Sequence, residues 1–369
     1  MKKIVFLCQG LASNEAAGIH RVASEIIKRI DELSTGVEVE LLVPADEHDE
    51  YHFANIKVKH LGVDFSKFGR VGIRITRYLF KNFFSTLYIR AQDCLSVDLQ
   101  LQFPLIGADI IAIYDCRVNM FPEFYEFSKN QRHVREAMLK HQNRAVSRCK
   151  RIVTDSQTAK TDILKSYPDT GKSIDVIYCG WQHFEMITPV EDIINRLNLK
   201  CGDYFFSLGS RFPHKNEKWI QKAALKYPDR LFVVTGKHIE SDMSEETKPQ
   251  NLIYTGRLND GEIKALMMHC KAFIQPSFYE GFGIPPLEAM SVGADCILSD
   301  IPVFREIYKN SVWYIDPNDY DNIDIEKILT QKKESNDIIL EEFSWDRSAR
   351  LLWAVLKNEA SKKIRSIEL

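Results

Sequence analysis

The sequence has no apolar run long enough to span a membrane and no closely spaced pair of cysteines. A transmembrane helix needs roughly 18 or more apolar residues in succession, and no stretch approaches that length. The apolar run at the amino terminus ends at Gln9 and Gly10, too early for a signal peptide, and is typical of a first β-strand. The eight cysteines are scattered without a C-x-x-C spacing, which is typical of reduced thiols rather than of a zinc site or a disulfide framework. We therefore expect a cytoplasmic protein.

A charge excess and the usual cofactor signatures are also absent. The 49 Lys and Arg residues nearly balance the 51 Asp and Glu residues, which argues against a dedicated nucleic-acid binder. The loop after the first strand, residues 9–17, lacks a G-x-G-x-x-G fingerprint, which argues against a dinucleotide cofactor. None of the ten histidines lies in a cluster of possible ligands. We therefore expect no cofactor, no metal and no nucleic-acid partner.

Two α/β patterns follow one another along the 369 residues, a length that favours two domains. Short apolar runs alternate with helical patterns in each half, including a predicted strand at 99–103, which indicates βαβ units and mainly parallel sheets. We expect a first Rossmann-like domain over 1–185 and a second over 186–345. A C-terminal helix over 346–369 has an apolar stripe that could pack back on the first domain.

Two segments of the second half carry the pattern of an anion site. At 205–216 an apolar strand enters a small-residue turn at Gly209, and Arg211 and Lys215 follow just before a helix. Small residues let backbone N–H groups approach an anion, and two cations four positions apart can converge on a diphosphate. The alternative is a pair of solvated charges at a helix start.

The second segment, 277–290, has a glycine-bearing loop after a strand, and prolines open the helix that follows. Two carboxylates flank this loop. Glu288 could accept hydrogen bonds from a ribose diol, or it could only stabilise the helix N-terminus. Glu280 could hold a sugar hydroxyl or offset positive charge at an anomeric carbon.

These ordered motifs resemble the large retaining family of GT-B glycosyltransferases with an E-x7-E signature, which includes bacterial mannosyl-, glucosyl- and rhamnosyltransferases of polysaccharide biosynthesis. The resemblance implies two Rossmann-like domains facing each other across a cleft, the first binding the acceptor and the second the nucleotide sugar. By the same resemblance, Arg211 and Lys215 would bind the donor diphosphate, Glu288 the ribose, and Glu280 would sit beside the transferred sugar as a catalytic residue. Backbone groups would contact the sugar and phosphate at Phe282, Gly283 and Ile284, and the base at Gly236, Lys237, Arg257 and Leu258.

The first half matches that family less closely. Gly18 begins a helix after the first strand and corresponds to a glycine near the donor phosphate in the family, although it could simply be a helix-entry residue. Tyr114 occupies the position of the family's histidine, and Asp115 follows it. We expect both to be catalytic residues. A tyrosine does not readily exchange a proton near neutral pH, so Tyr114 would act by donating a hydrogen bond to a sugar hydroxyl. Asp115 would act on the acceptor side, or could instead cap a helix.

A basic segment of the first half has no acidic residue between Asp64 and Asp93. Arg70, Arg74, Arg77 and Lys81 recur at helical spacing among many aromatic residues. Such a helix could lie in the interface of an anionic membrane or contact the acceptor. The alternative is a partly buried helix whose arginines remain in solvent.

The expected function is the transfer of one sugar from a nucleotide-diphosphate donor to a glycan or lipid-linked saccharide, with retention, in the synthesis of O-antigen or capsule. The expected partners are the nucleotide sugar, that acceptor and the cytoplasmic surface of the membrane. One alternative is another GT-B enzyme, such as a sugar-nucleotide epimerase or a phosphorylase. Another is a non-catalytic, membrane-docked partner of a transferase.

Overall fold

The computed structural model describes residues 2–10, 18–47, 51–103, 107–126, 128–209, 212–236 and 249–365. The chain divides into two compact units. The first comprises residues 1–179 together with 345–369, and the second comprises residues 180–344.

The first unit is built on a sheet of seven parallel strands in the order β3-β2-β1-β4-β5-β6-β7. The strands are β1 (Lys3–Leu7), β2 (Val39–Pro44), β3 (Ile56–Leu61), β4 (Cys94–Asp98), β5 (Ile110–Ala112), β6 (Arg151–Thr154) and β7 (Ser173–Val176). In the centre, Ile4 of β1 pairs with Val39 on one side and with Leu95 on the other. The strand order is that of a Rossmann-like domain. Strands β2 and β3 lie on one side of β1 and β4 to β7 lie on the other, so the order of the parallel strands reverses between β1 and β4.

The predicted strand at 99–103 is wrong, because β4 ends at Asp98 and these residues form a turn in which Leu99, Gln100 and Phe103 are buried. The Asp98 carboxylate accepts hydrogen bonds from the backbone N–H groups of Gln100, Gln102 and Phe103, at 3.0–3.1 Å. Leu101, inside this turn, has a left-handed φ of 51°. The apolar run therefore bends around one carboxylate instead of extending.

Helices cover the sheet of the first unit. They are α1 (Gly18–Leu33), α2 (Gly69–Leu79), α3 (Ser85–Arg90), α4 (Arg117–Met120), α5 (Lys129–Arg148) and α6 (Gln157–Ser166). A π-helical turn, Phe80–Phe84, joins α2 to α3 without a break.

The second unit repeats the same topology with six parallel strands in the order β10-β9-β8-β11-β12-β13. The strands are β8 (Tyr204–Ser207), β9 (Leu231–Val234), β10 (Leu252–Tyr254), β11 (Ala272–Gln275), β12 (Cys296–Ser299) and β13 (Trp313–Ile315). The helices are α7 (Asp192–Arg196), α8 (Glu217–Lys226), α9 (Asp260–His269), α10 (Ile284–Ser291), α11 (Pro302–Tyr308), α12 (Ile325–Leu329) and α13 (Asn336–Glu342). Trp219, Phe205 and Phe232 are buried in its core.

The last helix, α14 (Trp345–Arg365), belongs to the first unit. It packs against α1, where Arg29 donates to the carboxylate of Asp346 at 2.5 Å, and its apolar side chains Leu352 and Leu356 are buried. In the part of the chain that the structure describes, no helix is both long enough and apolar enough to cross a bilayer.

Candidate active site

In the turn after β8, the backbone of Gly209 lies close to the backbone of Thr235. The N–H of Gly209 donates to Thr235 Oγ1 at 3.0 Å, and a Cβ at this position would lie 2.1 Å from the carbonyl oxygen of the same threonine. Only glycine fits there. Arg211, two residues further on, lies outside the described residues.

Asn216 ties the end of this turn to two neighbouring loops. It adopts a left-handed backbone with φ 54°, and its amide nitrogen donates to the carbonyl oxygens of Pro276 and Pro317 at 2.9 and 2.8 Å. Lys215, immediately before it, is thereby placed beside the loop that follows β11.

Lys215 and Glu280 form an ion pair in this loop. The ammonium group lies 2.7 and 2.9 Å from the two carboxylate oxygens of Glu280. Ser277 and Gln275 also donate to one of these oxygens, at 2.7 and 2.6 Å. Glu280 is thus a carboxylate with only 11% of its side chain exposed, held by three side chains.

The environment of Glu280 favours its charged form. Burial by itself raises the pKa of this carboxyl, but the charges of Lys215 and His214 and the hydrogen bonds from Lys215 and Ser277 outweigh burial, and the pKa lies below its usual value. The group is therefore an ionised acceptor at neutral pH rather than a proton donor. Sequence reasoning assigned Lys215 to the diphosphate and Glu280 to the sugar, and the structure brings the two side chains together.

The loop leading into α10 is held by large side chains. Gly283 has φ 95°, and a Cβ there would lie 2.6 Å from the ring of Phe304. The hydroxyl of Tyr308 donates to the Gly283 carbonyl, and the buried ring of Phe282 meets Phe343 edge to face at 5.6 Å between centroids. Ile284 begins α10, and Pro285 and Pro286 follow it without N–H groups of their own, so it is the positive end of the helix dipole that favours an anion here.

Glu288 lies one turn into α10, where it contacts a histidine that sequence reasoning missed. His183 Nε2 is 2.7 Å from Glu288 Oε1, and both residues are buried. Their separation of 105 positions explains why no local pattern signalled the contact. A hydrogen bond from this imidazole would orient one carboxylate oxygen of Glu288.

The two loops expected to frame a base come together at their glycines. Gly236 and Gly256 exchange backbone hydrogen bonds of 2.7 and 2.9 Å, and both have positive φ. Arg257, next to this bridge, is exposed, and Leu258 is half-buried. Lys237 lies outside the described residues.

In the first unit, Gly18 begins α1 in an exposed position with open space around it. The Tyr114 hydroxyl donates to the carbonyl oxygen of Leu99 at 2.8 Å, and burial raises the pKa of this tyrosine well above its usual value. Asp115 Oδ1 accepts from the N–H of Arg117 at 3.0 Å, at the start of α4. The single hydroxyl proton of Tyr114 is thus held by backbone, and the Asp115 carboxylate stabilises a helix end.

The four basic residues of the predicted stripe differ in exposure. Arg70 and Arg74 are exposed on α2, whereas Arg77 is half-buried and pairs with Asp46 at 3.0 Å. Lys81, in the π-helical turn, is also half-buried, and burial lowers its pKa although Asp98 acts in the opposite direction. Among the residues that the structure describes, no group of three or more His, Cys, Asp or Glu side chains could hold a metal ion.

Residues 191–345 match the family described as glycosyl transferases group 1. The O-antigen chain mannosyltransferase RfbU of Salmonella typhimurium is 30% identical over 223 residues, which cover 58% of this chain and 59% of RfbU. The serotype-specific mannosyltransferase WbdA of Escherichia coli is 38% identical over 223 residues, or 55% of this chain and 27% of WbdA. The chain thus spans less than two thirds of the length of either relative.

Solved structures resemble the whole chain. The structure of Anabaena Alr3699/HepE in complex with UDP and glucose superposes with a TM-score of 0.66 at 18% identity, covering 97% of this chain and all of the other. WaaG, described as a glycosyltransferase involved in lipopolysaccharide biosynthesis, has a TM-score of 0.59 at 16% identity, with 97% and 98% covered. At these identities the likeness establishes the fold, which is GT-B with two Rossmann-like domains. Within that fold, residues 191–345 are the part of the chain that matches the glycosyl transferases group 1 family.

Proposed function

We propose that the chain is a hexosyltransferase that moves one sugar from a nucleotide-diphosphate sugar to a hydroxyl of a glycan or lipid-linked saccharide, with retention and without a metal. The observation that carries this proposal is the Lys215–Glu280 pair beside the N-terminus of α10, inside the part of the chain that matches the group 1 family. A cation, an ionised carboxylate and a helix N-terminus at one loop suit a donor that combines a diphosphate with a hydroxylated sugar.

Each of these groups has a defined task in the proposal. Lys215 would bridge the diphosphate and Glu280, so that the carboxylate orients the ammonium group as well as facing the sugar. The backbone N–H groups of Phe282, Gly283 and Ile284, where the loop enters α10, would stabilise the negative charge of the phosphate. Glu288, oriented by His183, would accept hydrogen bonds from the ribose diol.

In this proposal, transfer with retention of the anomeric configuration needs no side chain of the protein to deprotonate the acceptor hydroxyl. The bond between the anomeric carbon and the diphosphate oxygen would break as the acceptor oxygen forms the new glycosidic bond on the same face of the sugar. An oxygen of the departing diphosphate would take the proton of the acceptor hydroxyl. The protein would contribute positioning and stabilisation of the negative charge on the diphosphate. The buried, protonated hydroxyl of Tyr114 is compatible with a mechanism that uses no acid or base there.

The names of the relatives support O-antigen or a similar surface polysaccharide as the pathway. Besides the two mannosyltransferases, the similar proteins include an E. coli UDP-Gal:alpha-D-GlcNAc-diphosphoundecaprenol alpha-1,3-galactosyltransferase, 30% identical over 145 residues. A lipid-linked saccharide is therefore the acceptor class that we propose.

The test uses the full chain with a panel of nucleotide sugars, a lipid-linked saccharide extract and NMR of the product. We expect one donor to raise the melting temperature and to be consumed only with acceptor, and the product to keep the donor's anomeric configuration. Lys215→Met should lower kcat/KM about 100-fold, in line with about 3 kcal/mol for one charge-stabilising donor in a transition state. Lys222→Met, an exposed lysine of α8, is the matched control.

Three results would contradict the proposal. Donor conversion without acceptor would indicate an epimerase or phosphorylase. Inversion at the anomeric carbon would refute retention. Equal activity of Lys215→Met and Lys222→Met would refute the phosphate assignment.

We also propose that the first unit docks on an anionic membrane through the exposed face of α2, the π-helical turn and α3. Large apolar side chains occupy this face, with Phe68, Val71 and Tyr78 about two thirds exposed. The exposed apolar residues are Phe68, Val71, Ile75, Tyr78, Phe83 and Leu87. The exposed face of an ordinary surface helix is polar, so this face is unusual.

The π-helical turn keeps this apolar face continuous. From Phe68, immediately before α2, to Tyr78 the exposed apolar residues are spaced by three or four positions, as one face of an α-helix requires. From Tyr78 to Phe83 the step is five positions, which would leave that face in an α-helix, but the wider π-helical turn over Phe80–Phe84 absorbs the extra residue. Phe83 and Leu87 therefore continue the face begun by Phe68.

Cations accompany the apolar face and no acidic residue interrupts it. Lys67, Arg70, Arg74 and Arg90 are exposed on the same segment. Each cation near an anionic bilayer contributes about 1 kcal/mol to the free energy of membrane binding, and the apolar side chains add to it by their burial in the membrane interface. A face that is both apolar and basic is therefore more favourably placed in the interface of an anionic membrane than in water.

Vesicle sedimentation tests this surface. The full chain should bind phosphatidylglycerol vesicles more tightly than phosphatidylcholine vesicles, and Arg70→Glu/Arg74→Glu and Phe68→Ser/Tyr78→Ser should each weaken that binding about tenfold or more. Leu164→Ser, at an exposed leucine of α6, is the control and should bind as the parent does. No preference for the anionic vesicles, or the same binding by all variants, would refute the surface.

A further inference from the structure

The first unit contains a cavity of about 150 Å³ at the carboxyl ends of β4 and β5. Residues from several parts of the first unit line it, including Val118 of α4. Gln100 follows β4, Tyr114 and Asp115 follow β5, Ile19 comes from α1, and Met138, His141 and Gln142 come from α5. Parallel sheets bind ligands at the carboxyl ends of their strands near the point where strand order reverses, which in this sheet lies between β1 and β4.

Two polar side chains of α5 at this cavity are incompletely satisfied. Gln142 is 4% exposed, and its amide nitrogen donates to the Asp115 carbonyl at 3.3 Å. Within the described residues, neither the Gln142 amide oxygen nor the buried Nε2 of His141 has a hydrogen-bond partner. Buried polar atoms are rarely left unpaired, so a group that enters the cavity is the natural partner of both.

The neighbouring polar groups are already engaged. Gln100 exchanges hydrogen bonds with the backbone of Gln9, both at 3.0 Å, and its amide nitrogen lies 2.8 Å from His20 Nδ1. The Tyr114 hydroxyl is bonded to a backbone carbonyl. Asp115 Oδ1 accepts from the N–H of Arg117, but the carboxylate is 33% exposed and can accept further hydrogen bonds. His141, Gln142 and Asp115 are therefore the polar side chains of this wall with hydrogen-bonding capacity for a ligand.

The chemistry of these groups suits hydroxyls. Burial, together with the charges of Lys81 and Arg144, lowers the pKa of His141, so its ring is neutral near pH 7 and offers one donor and one acceptor nitrogen. The Gln142 amide oxygen is an acceptor. A hydroxyl both donates and accepts, whereas an anion would need donors at both places.

The apolar part of the cavity suits the carbon face of a ring. Ile19 and Met138 are each 41% exposed and border the cavity. The volume has room for about five water molecules at roughly 30 Å³ each, which corresponds to one sugar ring with its hydroxyls.

We propose that this cavity binds one sugar ring, with its hydroxyls hydrogen-bonded by His141 and Gln142 and its carbon face against Met138 and Ile19. The choice of a sugar rests on the proposed function, which makes saccharides the substrates of this chain. The ring could come from the acceptor or the donor, which share this chemistry, and the experiments separate the two sources.

Direct binding is tested by NMR of the full chain labelled with ¹⁵N at histidine. The probes are methyl α-D-mannopyranoside, methyl α-D-glucopyranoside and methyl α-D-galactopyranoside at millimolar concentration, with glycerol as the control solute. At least one glycoside should shift the imidazole signals of His141, which His141→Gln identifies by their loss. His133, exposed on the same helix, should not shift. The proposal is overturned if no glycoside shifts His141, or if glycerol or His133 gives the same response.

Steady-state kinetics then identify the source of the ring. His141→Gln changes the polar group, and Met138→Trp narrows the rim at an exposed position that should tolerate the change in folding. Each should raise one KM up to about tenfold, the effect of a single neutral hydrogen bond or apolar contact, while His133→Gln leaves both KM values unchanged. A higher KM for the acceptor assigns the ring to the acceptor, and a higher KM for the nucleotide sugar assigns it to the donor. Unchanged KM values for both overturn the proposal.

The two proposals fail separately in these experiments. A His141 shift without any sugar transfer would keep the cavity as a sugar site and refute the transferase function. Transfer activity without a His141 shift and without a KM effect would keep the function and refute the site.

Discussion

Lys215→Met isolates the charge of the Lys215–Glu280 pair, because methionine keeps a similar length without the ammonium group. The side chains of the pair are 27% and 11% exposed, respectively. Removing one partner of a fully buried pair costs about 3–5 kcal/mol, since the remaining charge is left without compensation. Water reaches Lys215, and Ser277 and Gln275 still donate to Glu280, so we expect the free energy of unfolding to fall by about 2–3 kcal/mol.

Urea unfolding at neutral pH, followed by tryptophan fluorescence, measures this loss. Trp219 and Trp313 are buried in the second unit and report its transition. Lys222→Met is the matched control and should change the free energy of unfolding by less than about 0.5 kcal/mol. The double variant Lys215→Met/Glu280→Gln removes both charges and should recover more than half of the loss.

Two outcomes would refute the reasoning. If Lys215→Met were as stable as its control, the charge of Lys215 would not be compensating the charge of Glu280 in the folded protein. If the double variant were no more stable than Lys215→Met, the loss would come from packing of the lysine stem rather than from the uncompensated Glu280 charge.

The same pair predicts the direction of the acid response. The folded pKa of Glu280 lies below its usual value, so the carboxyl contributes stability above the unfolded pKa of about 4.3 and loses it as pH falls through the folded value. Without Lys215 the pKa rises and this contribution shrinks. The parent should therefore lose more stability than Lys215→Met between pH 5 and pH 3 (about the range set by the reference carboxyl pKa). A steeper acid loss in the variant would contradict the assignment.

Three further substitutions test other contacts. His183→Ala should weaken the binding of UDP or GDP about tenfold, because Glu288 loses the group that orients it, and should weaken the binding of their deoxyribose analogues less. His183→Gln should restore part of the affinity, and calorimetric titration measures each variant. Equal weakening for the ribose and deoxyribose nucleotides would contradict this role. Gly283→Ala should lower the free energy of unfolding by about 2 kcal/mol or more, as read from thermal unfolding, because of its positive φ and the 2.6 Å approach of Phe304. Tyr114→Phe should cost about 1 kcal/mol in stability and leave the pH–rate profile unchanged near neutrality, since burial already keeps the hydroxyl protonated.

Local patterns predicted more of the fold than of the contacts. Alternating apolar runs and helices indicated two sheets of parallel strands, and both sheets are present. The strand expected at 99–103 was wrong because periodicity does not distinguish a buried strand from a buried turn, and one carboxylate, Asp98, bends the chain there. Similarly, no local pattern in α5 indicated that His141 and Gln142 line a cavity.

The sequence by itself determined the strand–loop–helix units and the residues that each unit carries, because turn glycines and strand and helix periods are local properties. Only the tertiary structure decided which of these residues meet. Lys215 and Glu280 are 65 positions apart, and they form a pair because β8 and β11 are parallel neighbours whose carboxyl ends open on the same edge of the sheet. His183 reaches Glu288 over 105 positions for a similar reason, since packing against α10, and not chain order, sets its neighbours.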